Sequence, residues 1–126
     1  MKKFLLLCLP IVLLYACGEK PHKTQLVFNN KDNGLQIVSA RDTFNKYDEK
    51  YHVISTVKNN TKDKFDDVIV TVEYFDNVGD KVAETTAAAK GSLAAGASVQ
   101  VENDYDCNSY KTLPYKMKIS VKDMFK

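Results

Sequence analysis

Between Tyr115 and Lys122 the chain alternates without a break. Tyr115, Met117, Ile119 and Val121 fall on one side, and Lys116, Lys118, Ser120 and Lys122 on the other. Successive side chains on a strand point to opposite faces, so the pattern describes a strand with one dry and one wet face. Val68 to Phe75 repeats it, with Val68, Val70, Val72 and Tyr74 on the apolar side and Ile69, Thr71, Glu73 and Phe75 on the other. A buried helix would space its apolar residues three and four apart, and the body of the chain carries no such stripe. The apolar rows therefore have to face another sheet.

Further strands are expected at Thr24–Phe28 and Leu35–Ala40, with Asn33-Gly34 between them as a hairpin signal. Thr43–Val57 is expected to hold one strand centred on Tyr51–Val57, followed by a turn at Asn59–Asp63. Asp76–Asp80 closes the Val68 strand with a turn. Lys81–Ala89 admits two readings, an alanine-favoured helix or an edge strand. Its shortness, its two threonines and the following Gly91 favour the strand. Leu93–Gly96 reads as a turn, Ala97–Glu102 as a strand with Val99 and Val101 inward, and Asn103–Pro114 as a long loop. The expected fold is all-β: a single antiparallel, immunoglobulin-like β-sandwich of about seven strands, preceded by a signal peptide. The paired cysteines and the tryptophan of antibody domains are missing, so that likeness is one of architecture. Val70, Val72, Val99, Val101, Met117 and Ile119 are the expected core, and Lys116, Lys118 and Lys122 the expected wet row.

The N-terminus has a different character. Met1-Lys2-Lys3 is basic, and Phe4–Ala16 is an almost unbroken apolar run of 13 residues, short of the ~20 that a helix needs to cross a bilayer. A basic start, a short apolar run and a small residue before the cut mark a secretory signal. Leu14, Ala16 and Cys17 resemble a bacterial lipobox, whose cysteine becomes diacylated after cleavage. The resemblance implies a signal peptide at 1–16, a lipidated Cys17 with a tether over 17–23, and a sandwich domain at 24–126. Gly18, rather than an aspartate, follows the cysteine, which resembles lipoproteins forwarded to the outer membrane of two-membrane bacteria. Two acyl chains suffice for stable anchoring, so the expected location is the extracytoplasmic face of the cell envelope.

Charge narrows the partners. Of the 18 Lys and Arg, Lys2 and Lys3 lie in the leader, whereas all 16 Asp and Glu lie beyond it, so the body balances 16 against 16. That balance gives no long-range pull toward nucleic acid. Of the three cysteines, Cys8 leaves with the signal and Cys17 is taken by lipid, which leaves Cys107 without an intramolecular partner. It reads either as a reactive thiol or as a small buried hydrophobe.

Catalytic and metal-binding patterns are sparse. His22 sits in the tether and His52 near a strand start, with no H-x-x-x-H or H-E-x-x-H spacing. His52 is expected to be an outward strand residue and not a ligand. Asp76-Asn77-Val78-Gly79-Asp80 is the best calcium-like run, but it is also the turn that a hairpin requires. Asn59-Asn60-Thr61 matches a glycosylation acceptor and reads as turn chemistry. No cofactor, no metal and no enzymatic activity are expected. Asp104 to Tyr115 gathers Tyr105, Asp106, Cys107, Asn108, Tyr110 and Tyr115 between two strands. Loops on a rigid scaffold often carry recognition, although tyrosines there also serve to cap the core.

Val57-Lys58-Asn59-Asn60-Thr61, then Val68-x-Val70-x-Val72-Glu73-Tyr74-Phe75-Asp76-x-x-Gly79, resembles the FxLYD-type family of small extracytoplasmic β-sandwiches. Val72, Tyr74, Phe75 and Asp76 stand at its named positions. Leu93-x-x-Gly96 with Val99 and Val101 resembles its later turn and strand. The resemblance covers about Tyr51 to Val121 and implies a structural role for the motif: Tyr74 in the core, Asp76 and Gly79 shaping the turn. The expected function is a lipid-anchored, non-catalytic binding or accessory module of the bacterial envelope that recognises another envelope protein. The alternative is a small-molecule or ion-binding carrier or sensor lipoprotein.

Overall fold

The computed structural model describes residues 24–30, 34–107 and 113–124. Seven strands follow one another: β1 (Gln25–Asn29), β2 (Leu35–Asn45), β3 (Lys50–Asn59), β4 (Val68–Phe75), β5 (Lys81–Ala88), β6 (Ser98–Asp106) and β7 (Lys116–Asp123). They form a four-stranded sheet, β1-β7-β4-β5, and a three-stranded sheet, β2-β3-β6. All neighbours pair antiparallel except β1, which runs parallel to β7.

The apolar rows supply the core between the sheets. Val68, Val70, Val72 and Tyr74 of β4 are fully buried, as are Met117 and Ile119 of β7. They face Tyr51, Val53 and Val57 of β3 and Val101 and Tyr105 of β6. Val99 is only half-buried. Four aromatic rings fill one end: Phe44 lies 4.9 Å from Tyr51, Tyr51 6.2 Å from Tyr105, and Tyr105 4.5 Å from Tyr74, centroid to centroid. Two aromatic rings within about 7 Å attract one another beyond their shared burial, so this row joins the two sheets.

Three expectations need correction. The Asn33-Gly34 signal does not close a hairpin: β1 belongs to the larger sheet and β2 to the smaller, so the chain passes between layers there. β2 reaches Asn45, because Ala40, Asp42 and Phe44 continue its inward side even though one of them is charged. β6 reaches Asp106, because Asn103 and Tyr105 continue the inward row of Val101. A buried asparagine had disguised that row as a loop. Its Nδ2 donates to the Val70 carbonyl at 3.2 Å and to Thr85 Oγ1 at 3.3 Å, and Thr85 Oγ1 lies 3.0 Å from the Tyr74 hydroxyl. Lys81–Ala88 is an edge strand, with Ala83 and Thr85 opposite Tyr74 and Val72.

Lys116, Lys118 and Lys122 project from the outer face of the larger sheet. The Lys116 ammonium sits 4.9 Å over the Phe75 ring, Lys118 is in register with Glu73, and Lys122 is in register with Ile69. Lys116 and Lys118 are therefore half-buried along their stems, as long cationic side chains are when they lie across a sheet.

The two ends of the sandwich differ. At one end the Gln25 N–H meets the Tyr115 carbonyl, the Tyr115 N–H meets the Phe75 carbonyl, and the Cys107 N–H meets the Glu49 carbonyl. The start of β1, the β2–β3 turn, the β4–β5 turn and the β6–β7 connection thus share that end. At the other end Phe65 pairs with Leu93, and the Asn60 N–H meets the Gly34 carbonyl.

Candidate functional site

The outer face of the smaller sheet holds a cluster that sequence order scatters over more than fifty positions. His52 stands on β3 directly opposite Asp104 of β6, and Glu102 is two residues back on the same face of β6. The His52 Nδ1 lies 2.8 Å from Asp104 Oδ1 and 2.9 Å from Glu102 Oε2. Its other ring nitrogen, Nε2, is 3.7 Å from Asp48 Oδ2 in the β2–β3 turn. The imidazole is 19% exposed, whereas the three carboxylates are 42–50% exposed.

Both pull and push act on the imidazole proton. Burial is the largest single influence and lowers the His52 pKa, but the hydrogen bonds to Asp104 and Glu102, and then their charges, together raise it above the ordinary 6.5. One proton on Nδ1 cannot make two full hydrogen bonds, so the two carboxylates share it. Among the described residues, His52 is the one cation within ion-pair distance of Glu102 or Asp104.

His52 faces outward, as expected, but it gathers carboxylates, which sequence spacing did not show. The signal that was present is the pair Glu102 and Asp104 at i and i+2, a spacing that puts two like charges on one face of a strand.

The expected recognition residues separate. Tyr105 is fully buried between Tyr51 and Tyr74 and belongs to β6, not to a loop. Asp106 ends β6 in register with Lys50 and is half-buried. Tyr115 precedes β7 and is 38% exposed. Asn108 and Tyr110 lie outside the described residues, as do Cys17 and the leader. Cys107 is buried and disulfide-bonded, which corrects the expectation of a lone cysteine. The other two cysteines of the chain, Cys8 and Cys17, lie outside the described residues.

The motif residues are placed by structure. Val72 and Tyr74 are buried, and Phe75 ends β4 under the Lys116 ammonium. Asp76 Oδ1 accepts the N–H groups of Val78 and Asp80 at 3.0 and 2.9 Å, and Gly79 holds φ +92°. That oxygen is committed to the turn. Asn59 is fully buried: its Nδ2 donates to the carbonyls of Asp63, Leu93 and Ala94, and its Oδ1 accepts from the N–H and hydroxyl of Thr61. The glycosylation-like triplet is accordingly turn chemistry, because the acceptor amide is enclosed.

Burial in the aromatic row pushes the Tyr51 hydroxyl up to about 12, with the charge of Asp42 and then Tyr115 adding to it. Asp42 points inward from the edge strand β2. An inward charge on an edge strand discourages pairing with a further chain.

Fold and cluster together define the class: an all-β sandwich of two sheets whose smaller sheet presents a carboxylate-ringed histidine. No protein-family model, curated protein or solved structure matches the chain.

Proposed function

We propose that the chain is a lipid-anchored, non-catalytic binding module of the bacterial envelope that works at the membrane surface on a protein partner. The observation that carries this reading is the leader, in which a basic start, a short apolar run and Ala16-Cys17 fall in register.

The geometry adds an orientation. The tether of residues 17–23 leads into β1, which starts at the end of the sandwich that holds the β2–β3 and β4–β5 turns. An extended tether of this length reaches at most about 25 Å. That end therefore stays near the membrane, and with it Tyr47, which is 91% exposed, and Val78, which is 73% exposed. The loops around Phe65 and Leu93 point the other way. A partner engaging Tyr47 or Tyr115 is then itself membrane-proximal. The β2 edge favours recognition by side chains over strand addition, because it carries a register shift at Ile37/Ser39 and the inward Asp42.

The same reading makes the sandwich immunoglobulin-like. β2-β3-β6 facing β4-β7 follows the arrangement of strands A-B-E facing C-F in that architecture. β1 then takes the place of the last strand beside β7, but in parallel. The resemblance to FxLYD-type domains is part of this proposal.

A second reading, an ion-binding accessory lipoprotein, is favoured by the cluster around His52.

Anchoring is tested by mass. Cleavage after Ala16 removes residues 1–16, and diacylation adds its mass at Cys17. Mass spectrometry of the membrane-extracted protein is expected to find the chain from Cys17 onward with the added mass of a diacylglyceryl group. Cys17→Ser is expected to be shed or to keep its leader. A membrane-extracted chain that carries no diacyl group would overturn the proposal.

A further inference from the structure

We propose that His52 Nδ1, Glu102 Oε2 and Asp104 Oδ1 form a three-ligand site for a divalent transition-metal ion such as zinc. This inference stands on the geometry of the sheet and not on the anchoring proposal.

The three ligand atoms lie within 4.8 Å of one another. They come from two hydrogen-bonded neighbours, β3 and β6, so the backbone that carries them is rigid. His52 and Asp104 are opposite in register, and Glu102 joins them because alternate residues share a face. An imidazole with two carboxylates suits zinc and its neighbours in the first transition row, whereas calcium and magnesium prefer oxygen alone.

Distances fit with a small adjustment. A zinc ion with bonds of about 2.1 Å holds its ligand atoms about 3.0 Å apart at right angles and about 3.4 Å apart in a tetrahedron. The observed separations from Nδ1 are 2.8 and 2.9 Å. To admit the ion, the two carboxylate oxygens back away from Nδ1 by a few tenths of an ångström and settle within about 4.2 Å of each other, from a cluster whose ligand atoms all lie within 4.8 Å. Both carboxylates are half-exposed and can move by torsion.

Asp48 provides an independent reason. A histidine that ligates a metal through one nitrogen usually donates its other N–H to a carboxylate, which fixes the tautomer. Asp48 Oδ2 stands 3.7 Å from Nε2, the nitrogen that the other two carboxylates do not contact, and has to approach by about 0.5 Å to accept its proton. With the proton on Nε2 directed at Asp48, the Nδ1 lone pair faces Glu102 and Asp104. The charges agree: His52 alone among the described cations is within ion-pair distance of Glu102 or Asp104, and a dication compensates them better than one shared proton. The ion's remaining positions face outward, where water or a donor from a partner completes the shell.

The test is zinc titration of the full chain in detergent by calorimetry, with zinc-dependent melting as a second readout. One equivalent is expected to bind saturably at neutral pH and to raise the melting temperature. His52→Gln and Asp104→Asn are each expected to weaken binding at least tenfold and to abolish the zinc-dependent rise, while their metal-free melting stays cooperative. Asp48→Asn is expected to weaken it several-fold, and His22→Gln in the tether to leave it unchanged. Absence of saturable binding, or binding that survives His52→Gln and is lost in His22→Gln, overturns the proposal.

Discussion

Gly34 faces Thr61 so closely that a β-carbon on the glycine would collide with the threonine γ-methyl. The contact joins the start of β2 to the turn after β3, and beside it the Asn60 N–H donates to the Gly34 carbonyl at 2.8 Å. Gly34 also holds φ +86°, a conformation that L side chains rarely adopt.

Gly34→Ala is therefore expected to destabilise the domain by about 1–3 kcal/mol through strain and collision together. Thr61→Ser removes the methyl group but keeps the Oγ1 that bonds Asn59. The double variant should recover part of the loss in urea unfolding. If it recovers none, the backbone conformation alone sets the cost.

Asn59→Ala should be among the most damaging polar substitutions. It removes the amide that bonds the carbonyls of Asp63, Leu93 and Ala94 and the acceptor of the Thr61 N–H and hydroxyl, although Leu93 and Ala94 keep the N–H groups of Phe65 and Ala97. A lost intramolecular hydrogen bond costs about 0.5–1.5 kcal/mol net, so the several lost together are expected to cost about 2–3 kcal/mol by chemical denaturation. Asn59→Asp keeps the acceptor but not the donors, and is expected to remain well below wild type at neutral pH.

Val72 and Lys118 test the two faces of the larger sheet. Val72 is fully buried between Thr85 and Ile119 in register. Val72→Asp puts an unpaired charge there and should abolish cooperative folding, because nothing offsets its desolvation. Lys118→Gln should change stability by about 0.5 kcal/mol or less. Lys118→Asp opposes Glu73 and should cost about 0.2–1 kcal/mol. Circular dichroism melts that rank Lys118→Gln with Val72→Asp would reverse the assigned faces.

His52 gives the fold a pH signature. Its pKa is raised on folding above the ordinary 6.5 by Asp104 and Glu102, which outweigh burial. The folded state then holds the proton more tightly than the unfolded state does. The stabilisation is complete below about 6.5 and fades as pH rises through the raised value. Unfolding free energies of wild type and His52→Gln, measured without metal, should differ most in mildly acidic buffer and converge above neutrality. A gap that widens with pH would contradict this sign.

Legibility followed apolar alternation. Val68–Phe75 matches β4 residue for residue, and Met117, Ile119 and Val121 are buried on β7. Where a polar residue took an inward position the pattern failed: Asn103 hid the second half of β6, and Asp42 the second half of β2. Asn103 is tolerated because the Val70 carbonyl and Thr85 receive its amide, partners that lie about twenty or thirty positions away. The cluster at His52 was equally hidden, since Asp48 is near in sequence while Glu102 and Asp104 are near only through register.

The sequence by itself determined the periodicity: strands of period two, their dry faces, the turns at Asp76–Asp80 and Leu93–Gly96, and hence a body made of sheets. These are local properties, because alternation and turn chemistry act over a few residues. Tertiary structure alone decided that β1 runs parallel beside β7, that β2 leaves β1 for the other sheet, and that His52 meets Glu102 and Asp104. Strand pairing is a choice among edges of similar backbone chemistry, and every strand offers the same N–H and C=O groups. The choice is made by how the whole set of side chains fills the space between two sheets, which no single segment encodes.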